Sequence, residues 1–176
     1  AACAVNPHIS GHPRWTVLIY MNAANNLQPD SLLNVAQMAS VGSDANLNIV
    51  LQWKQAVCPD CGTPSFTATK RYRISKHTSA EVNSIANGDT SSLSRDELAP
   101  PTNFYDPILQ QSDMGDWRVL HDFAQWGSAN YPADHLMVLL WDHGAGWRST
   151  RAAKSARPVL RGFSEDNATN NEIETW

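Results

Sequence analysis

Three short apolar runs constrain this chain more than any other feature: "WTVLIYM" (15–21), "LNIVLQW" (47–53) and "HLMVLLW" (135–141). Each is too short for a buried helix and carries the bulky and β-branched side chains of a strand buried on both faces. Strands of that kind belong in a sheet with helices on either side. The segment between the first two runs supplies one helix. Pro29 and Asp30 open it, Leu32, Leu33, Ala36 and Ala39 share one face, and Gly42 stops it. Strand, helix and strand at this spacing form a βαβ unit with parallel strands and a right-handed crossover. A second helix is predicted before the third run, capped by Asp116 and carrying Val119, Leu120, Phe123 and Trp126. The fold class is α/β with at least three parallel strands.

The remaining segments are less regular. "FTATKRYRIS" (66–75) alternates and predicts a strand with one solvated face, whereas 77–112, rich in Ser, Asn, Asp and Pro, predicts mostly loop with short pieces of order. Residues 1–14 read as an extended arm. With 42% hydrophobic and 17% charged residues the composition is globular. A formal net charge of -4 and the lack of a dense basic run argue against nucleic acid as a partner. No apolar stretch approaches the roughly 20 residues of a membrane span. The opening "AAC" resembles the end of a bacterial lipoprotein signal, which would make Cys3 a lipid acceptor; a plain start or a secretory cleavage remnant is the alternative.

The chain has three cysteines. Cys58-Pro-Asp-Cys61 is a C-x-x-C pair, and one such pair cannot complete a four-ligand zinc site. It sits in a loop sequence rather than at a helix N-terminus, so a local disulfide in an exported protein is favoured over free thiols or redox catalysis.

The third run leads into "WDHGAGW" (141–147). In a parallel sheet the functional edge is where strand C-termini meet loops, and His143 is expected there. Asp142 and His143 could bind metal, transfer protons or be structural. Gly144 and Gly146 leave backbone N–H groups unshielded, so a histidine beside Gly144 offers a proton-transfer group and an oxyanion donor.

The blocks "WTVLIYMNAANNL", "MGDWRVLHDFAQW" and "YPADHLMVLLWDHGAGW" resemble, in order, successive blocks of the clostripain family of cysteine peptidases, with weaker similarity in "GFSEDNATNNEI". The resemblance implies a caspase-like fold, shared with gingipains and legumains, in which a mainly parallel central sheet is flanked by helices. It implies that His143 is the catalytic histidine and that the Gly144 N–H helps hold the oxyanion. In the family the nucleophilic cysteine follows the histidine, at the end of the next core strand in an Asp-Ala-Cys motif that this sequence does not contain. Cys58 precedes the histidine strand and is a poor substitute. The implied role is that of a light chain, cleaved from a single precursor, whose partner is a heavy chain carrying the cysteine and whose substrates are peptides. Residues 15–147 would then be the N-terminal half of the peptidase domain and 148–176 an interchain processing region.

Family cleavage after Arg or Lys fits poorly here, because the chain passes Arg148, Arg151, Lys154, Arg157 and Arg161 before Trp176. The family also implies calcium in some members, for which Glu165, Asp166 and Glu172 offer oxygen donors; a solvated polar loop is the alternative reading. Two other functions stay open at this level: a non-catalytic caspase-like binding module, and a different hydrolase or metal-dependent enzyme using Asp142 and His143.

Overall fold

The computed structural model describes residues 11–102, 105–106, 111–143 and 161–175. Strand β1 (Trp15–Asn22), helix α1 (Gln28–Val41) and strand β2 (Leu47–Gln55) form the expected βαβ unit. Strand β3 (Ala68–Arg73) follows, then helix α2 (Ser79–Ala86), a 3₁₀ turn (Ser91–Asp96) and a small ladder of β4 (Tyr105–Asp106) with β5 (Gln111–Ser112). Helix α3 (Trp117–Asn130) leads into β6 (His135–Trp141), and β7 (Arg161–Asp166) pairs with β8 (Asn171–Thr175) as a hairpin.

The main sheet has the order β3-β2-β1-β6. Strand β1 is parallel to both β2 and β6, with Leu18 level with Val50 on one side and Val138 on the other. Strand β3 is antiparallel to β2. This is a mixed α/β architecture with a mainly parallel sheet flanked by helices. On one face Ile19, Met21, Leu51 and Trp53 pack with Val35, Ala36 and Ala39 of α1 and Ile85 of α2. On the other, Leu18, Tyr20 and Val50 pack with Val119 and Phe123 of α3. The alternation of β1 side chains between the two clusters is the period-2 geometry of a strand, and it explains why the sequence there is apolar without interruption.

Local chemistry sets the helix boundaries. Asp116 accepts a hydrogen bond from the Arg118 N–H at 2.9 Å and caps α3. Gly42, at φ 71°, ends α1, and a Cβ there would overlap the backbone of Lys76. Within α3, a Cβ on Gly127 would stand 2.6 Å from a methyl of Leu18, so a glycine is what lets the helix lie this close to β1.

The short pieces of order expected in 77–112 include α2, where Thr78 and Glu81 form a reciprocal capping box. One expectation changes. The second face of β3 is not wet. Arg71 is buried, its guanidinium 4.4 Å from the Trp126 ring and 3.7 Å from Asp122, with its Nε donating to Gln52 Oε1 at 2.8 Å. A charged residue in an alternating strand signals solvent only when no neighbour takes up its charge and its flat face, and α3 does both here. Among the described residues no helix is long and apolar enough to cross a membrane.

Candidate functional site

The C-terminal ends of β1, β2 and β6 meet at one edge of the sheet, and the loops leaving them are held together by polar side chains. Strand β1 runs out into Asn22-Ala23-Ala24-Asn25-Asn26, β2 ends next to Lys54, and β6 delivers Asp142 and His143. The hairpin of β7 and β8 closes over this edge, its Asn167 N–H donating to the Ala24 carbonyl at 2.8 Å.

Two adjacent links join the β1 loop to the end of β6. Asn25 Nδ2 donates to Asp142 Oδ1 at 2.7 Å and to the Glu165 carbonyl at 3.0 Å, while its Oδ1 accepts from the Leu27 N–H at 2.9 Å. One residue on, His143 Nε2 stands 2.6 Å from Asn26 Oδ1. The imidazole itself is exposed. Behind it, Asn22 Nδ2 donates to Ser164 Oγ at 3.1 Å and Ser164 Oγ donates to the Met114 carbonyl at 2.6 Å, which also accepts from the Tyr20 hydroxyl at 2.9 Å.

Lys54 and Asp166 form a fully buried ion pair at 2.6 Å. Asp166 Oδ2 also accepts from the Met114 N–H at 2.9 Å, and its Oδ1 from the N–H groups of Ala168 and Thr169 at 3.2 and 3.3 Å. A buried pair is tolerated only when its remaining lone pairs are satisfied, and here backbone N–H groups from two segments do that. The pair fastens the hairpin to the end of β2.

Asp142 is partly buried. Burial pushes its carboxyl up to about 7, against the lowering effect of the His143 N–H and the Asn25 amide. Its Oδ2 is buried without a hydrogen-bond partner. Burial likewise raises the Tyr20 hydroxyl well above its usual range, with the charges of Asp166 and Asp113 adding to the effect.

Of the sequence-predicted residues, His143 stands at the sheet edge expected of it, and Gly144 lies outside the described residues. Cys58 and Cys61 are joined by a disulfide in the loop after β2, with their Cα atoms 5.3 Å apart and Cys61 buried. Gln28 fixes that loop by donating to the Cys61 carbonyl at 2.9 Å and accepting from the Ala56 N–H at 3.0 Å. Of the three donors considered for calcium, Asp166 is committed to Lys54 and the backbone, and among the described residues no group of three His, Cys, Asp or Glu is arranged to hold a metal. Residues 161–175 form a hairpin docked on the sheet edge.

Asn22, Asn25, Asn26, Lys54 and Ser164 carry the site's framework without having been singled out in the sequence. A signal existed for two groups: an amide-rich loop directly after a buried strand, and a lysine directly after the buried run of β2.

The clostripain family model matches residues 19–175. A solved structure of a B. fragilis cysteine protease is similar at 19% sequence identity and a TM-score of 0.46, over 81% of this chain and 98% of that chain. No curated protein matches.

Proposed function

Because the chain belongs to the clostripain family of cysteine peptidases, we propose that it is the histidine-bearing part of a cysteine endopeptidase whose nucleophile arrives on a further strand beside β6. The observation that carries this reading is the state of β6. Leu136, Val138 and Leu140 share one face of the strand and are 48%, 42% and 46% exposed. Strand β6 is also the last in the described sheet. An open strand edge bearing an apolar row is a template for another strand. The strand that would cover it ends at the same edge as His143, where a cysteine at its C-terminus would meet the imidazole.

The cysteine belongs to a heavy chain released from the same precursor. Cys58 is a poor nucleophile for this site, since it is tied to Cys61. In the reaction His143 takes the thiol proton. The thiolate adds to the scissile carbonyl, the C–N bond breaks, and the same proton passes to the leaving amine. Water then hydrolyses the thioester. The Gly144 N–H would stabilise the oxyanion, a role carried by the family resemblance. The substrates are peptides, and the side chain preferred before the cut is left to the residues of the heavy chain. A disulfide between Cys58 and Cys61 supports export to an oxidising compartment.

The test is the assembled enzyme, made by co-expressing this chain with its downstream segment. His143→Ala is expected to lower kcat/KM by roughly 100-fold or more, with the circular dichroism spectrum unchanged. Activity within a few-fold of the parent in a folded variant would remove His143 from the chemistry.

A further inference from the structure

A histidine has two ring nitrogens, and the partner of one decides which carries the proton when the ring is neutral. His143 Nε2 faces Asn26 Oδ1 at 2.6 Å, and a carbonyl oxygen can only accept. The ring proton therefore sits on Nε2, and the lone pair of the neutral ring sits on Nδ1.

The loop holding Asn26 is not free to drift. Asn25 is fixed at three points, to Asp142, to the Glu165 carbonyl and to the Leu27 N–H. Consecutive residues of the β1 loop thus grip consecutive residues at the end of β6. One pair sets the backbone at Asp142, and the other sets the ring of His143. An amide suits this place because it does not titrate and so does not compete for the thiol proton. Its oxygen accepts from Nε2 whether the ring is neutral or charged.

We propose that Asn26 is a positioning residue that holds His143 in the Nε2–H tautomer, so that the thiol proton is exchanged at Nδ1. The proposal rests on the acid–base role of His143 given above. In the forward step the Sγ–H bond breaks and an Nδ1–H bond forms. When the scissile C–N bond breaks, Nδ1 gives that proton to the amine nitrogen. Throughout, Nε2 keeps its own proton on Asn26. The attacking sulfur must accordingly approach the Nδ1 side of the ring.

The experiment compares Asn26→Ala, Asn26→Asp and His143→Ala in the assembled enzyme, with kcat and KM measured separately on a peptide substrate. Asn26→Ala should lower kcat by roughly 10- to 100-fold, the cost of a misplaced catalytic group, and leave KM within about twofold. Asn26→Asp keeps an acceptor oxygen in place and should recover most of kcat. Equal losses in the Ala and Asp variants would mark a merely structural residue and overturn the proposal. So would an Asn26→Ala enzyme within about threefold of the parent while His143→Ala is inactive. If His143→Ala is itself active, the acid–base reading fails instead. A readout independent of activity is the ¹⁵N spectrum of the His143 ring in the assembled enzyme, at a pH where the ring is neutral. The proton should be on Nε2 in the parent and shared between both nitrogens in Asn26→Ala. A proton on Nδ1 in the parent would overturn the proposal.

Discussion

Strands β1 and β6 lie side by side, parallel and in register, and their sequences are almost equally apolar. Their surroundings are opposite. Leu18 and Tyr20 in β1 are essentially inaccessible, whereas Val138 and Leu140, level with them in β6, stand more than two-fifths exposed. The asymmetry is strongest on one face. On the other, Met137 is also 47% exposed, but Leu139 and Trp141 of β6 pack against the cluster beneath α1, and Trp141 Nε1 donates to Asn34 Oδ1 at 2.8 Å. The row of Leu136, Val138 and Leu140 continues the face that α3 covers over β1, but α3 stops short of it. Under the proposed function, an apolar row of this kind, level with the core and next to a histidine at the sheet edge, is core that the cysteine-bearing segment completes.

The largest effect should come from putting charge into that row. Val138→Asp is expected to prevent stable association with the cysteine-bearing segment and to abolish activity, checked by co-purification of the two tagged pieces. Full assembly in this variant would show that the partner docks elsewhere.

A quantitative version compares Leu18→Ala with Leu140→Ala in the assembled enzyme. Leu18→Ala should cost about 2–5 kcal/mol, the usual range for emptying a packed leucine site. If a partner covers β6, Leu140→Ala should fall in the same range. If β6 remains an exposed edge, it should cost no more than about 0.5 kcal/mol, as surface substitutions do. Denaturant unfolding of the two variants decides between these outcomes.

A smaller effect concerns Asp142, where β6 ends. Its carboxyl is raised to about 7 by burial, against about 3.9 in an unfolded chain. Between those values the folded state binds more protons than the unfolded one. Its contribution to stability is therefore present at acid pH and is lost as pH rises towards 7. Asp142→Asn keeps an oxygen for the Asn25 amide and removes the charge. It should make the protein more stable at pH 8 than the parent by on the order of 1 kcal/mol, discounted for partial solvent screening, with the gain vanishing near pH 4. Unfolding midpoints across that range test it, and an equal change at both ends would mean that burial of the charge is not the cause.

The elements closest to the core were the most legible. The three apolar runs predict β1, β2 and β6 to within two residues, because uninterrupted apolar sequence over seven residues fits little else. Asp116 and Gly42 mark helix ends because their capping chemistry is local. Helix α2 was legible in principle through Thr78 and Glu81, but the polar residues around it hid its single buried anchor, Ile85. The site was legible only in part. His143 announces itself beside a strand end, whereas Asn25 and Asn26 act across 117 positions of sequence, on Asp142 and His143 respectively.

The sequence by itself determined the class of fold, the strand that carries His143 and the edge at which it emerges, since all three follow from hydrophobic period and spacing. Only the tertiary structure decided that β3 runs antiparallel with a buried arginine, that Asp166 anchors a hairpin through Lys54, and that Asn26 faces Nε2 of His143. Each of these is a pairing between polar groups far apart in the chain. Such pairs are set by which lone pairs and protons remain unsatisfied once the strands have packed, and that is a property of the folded edge, which no local pattern encodes.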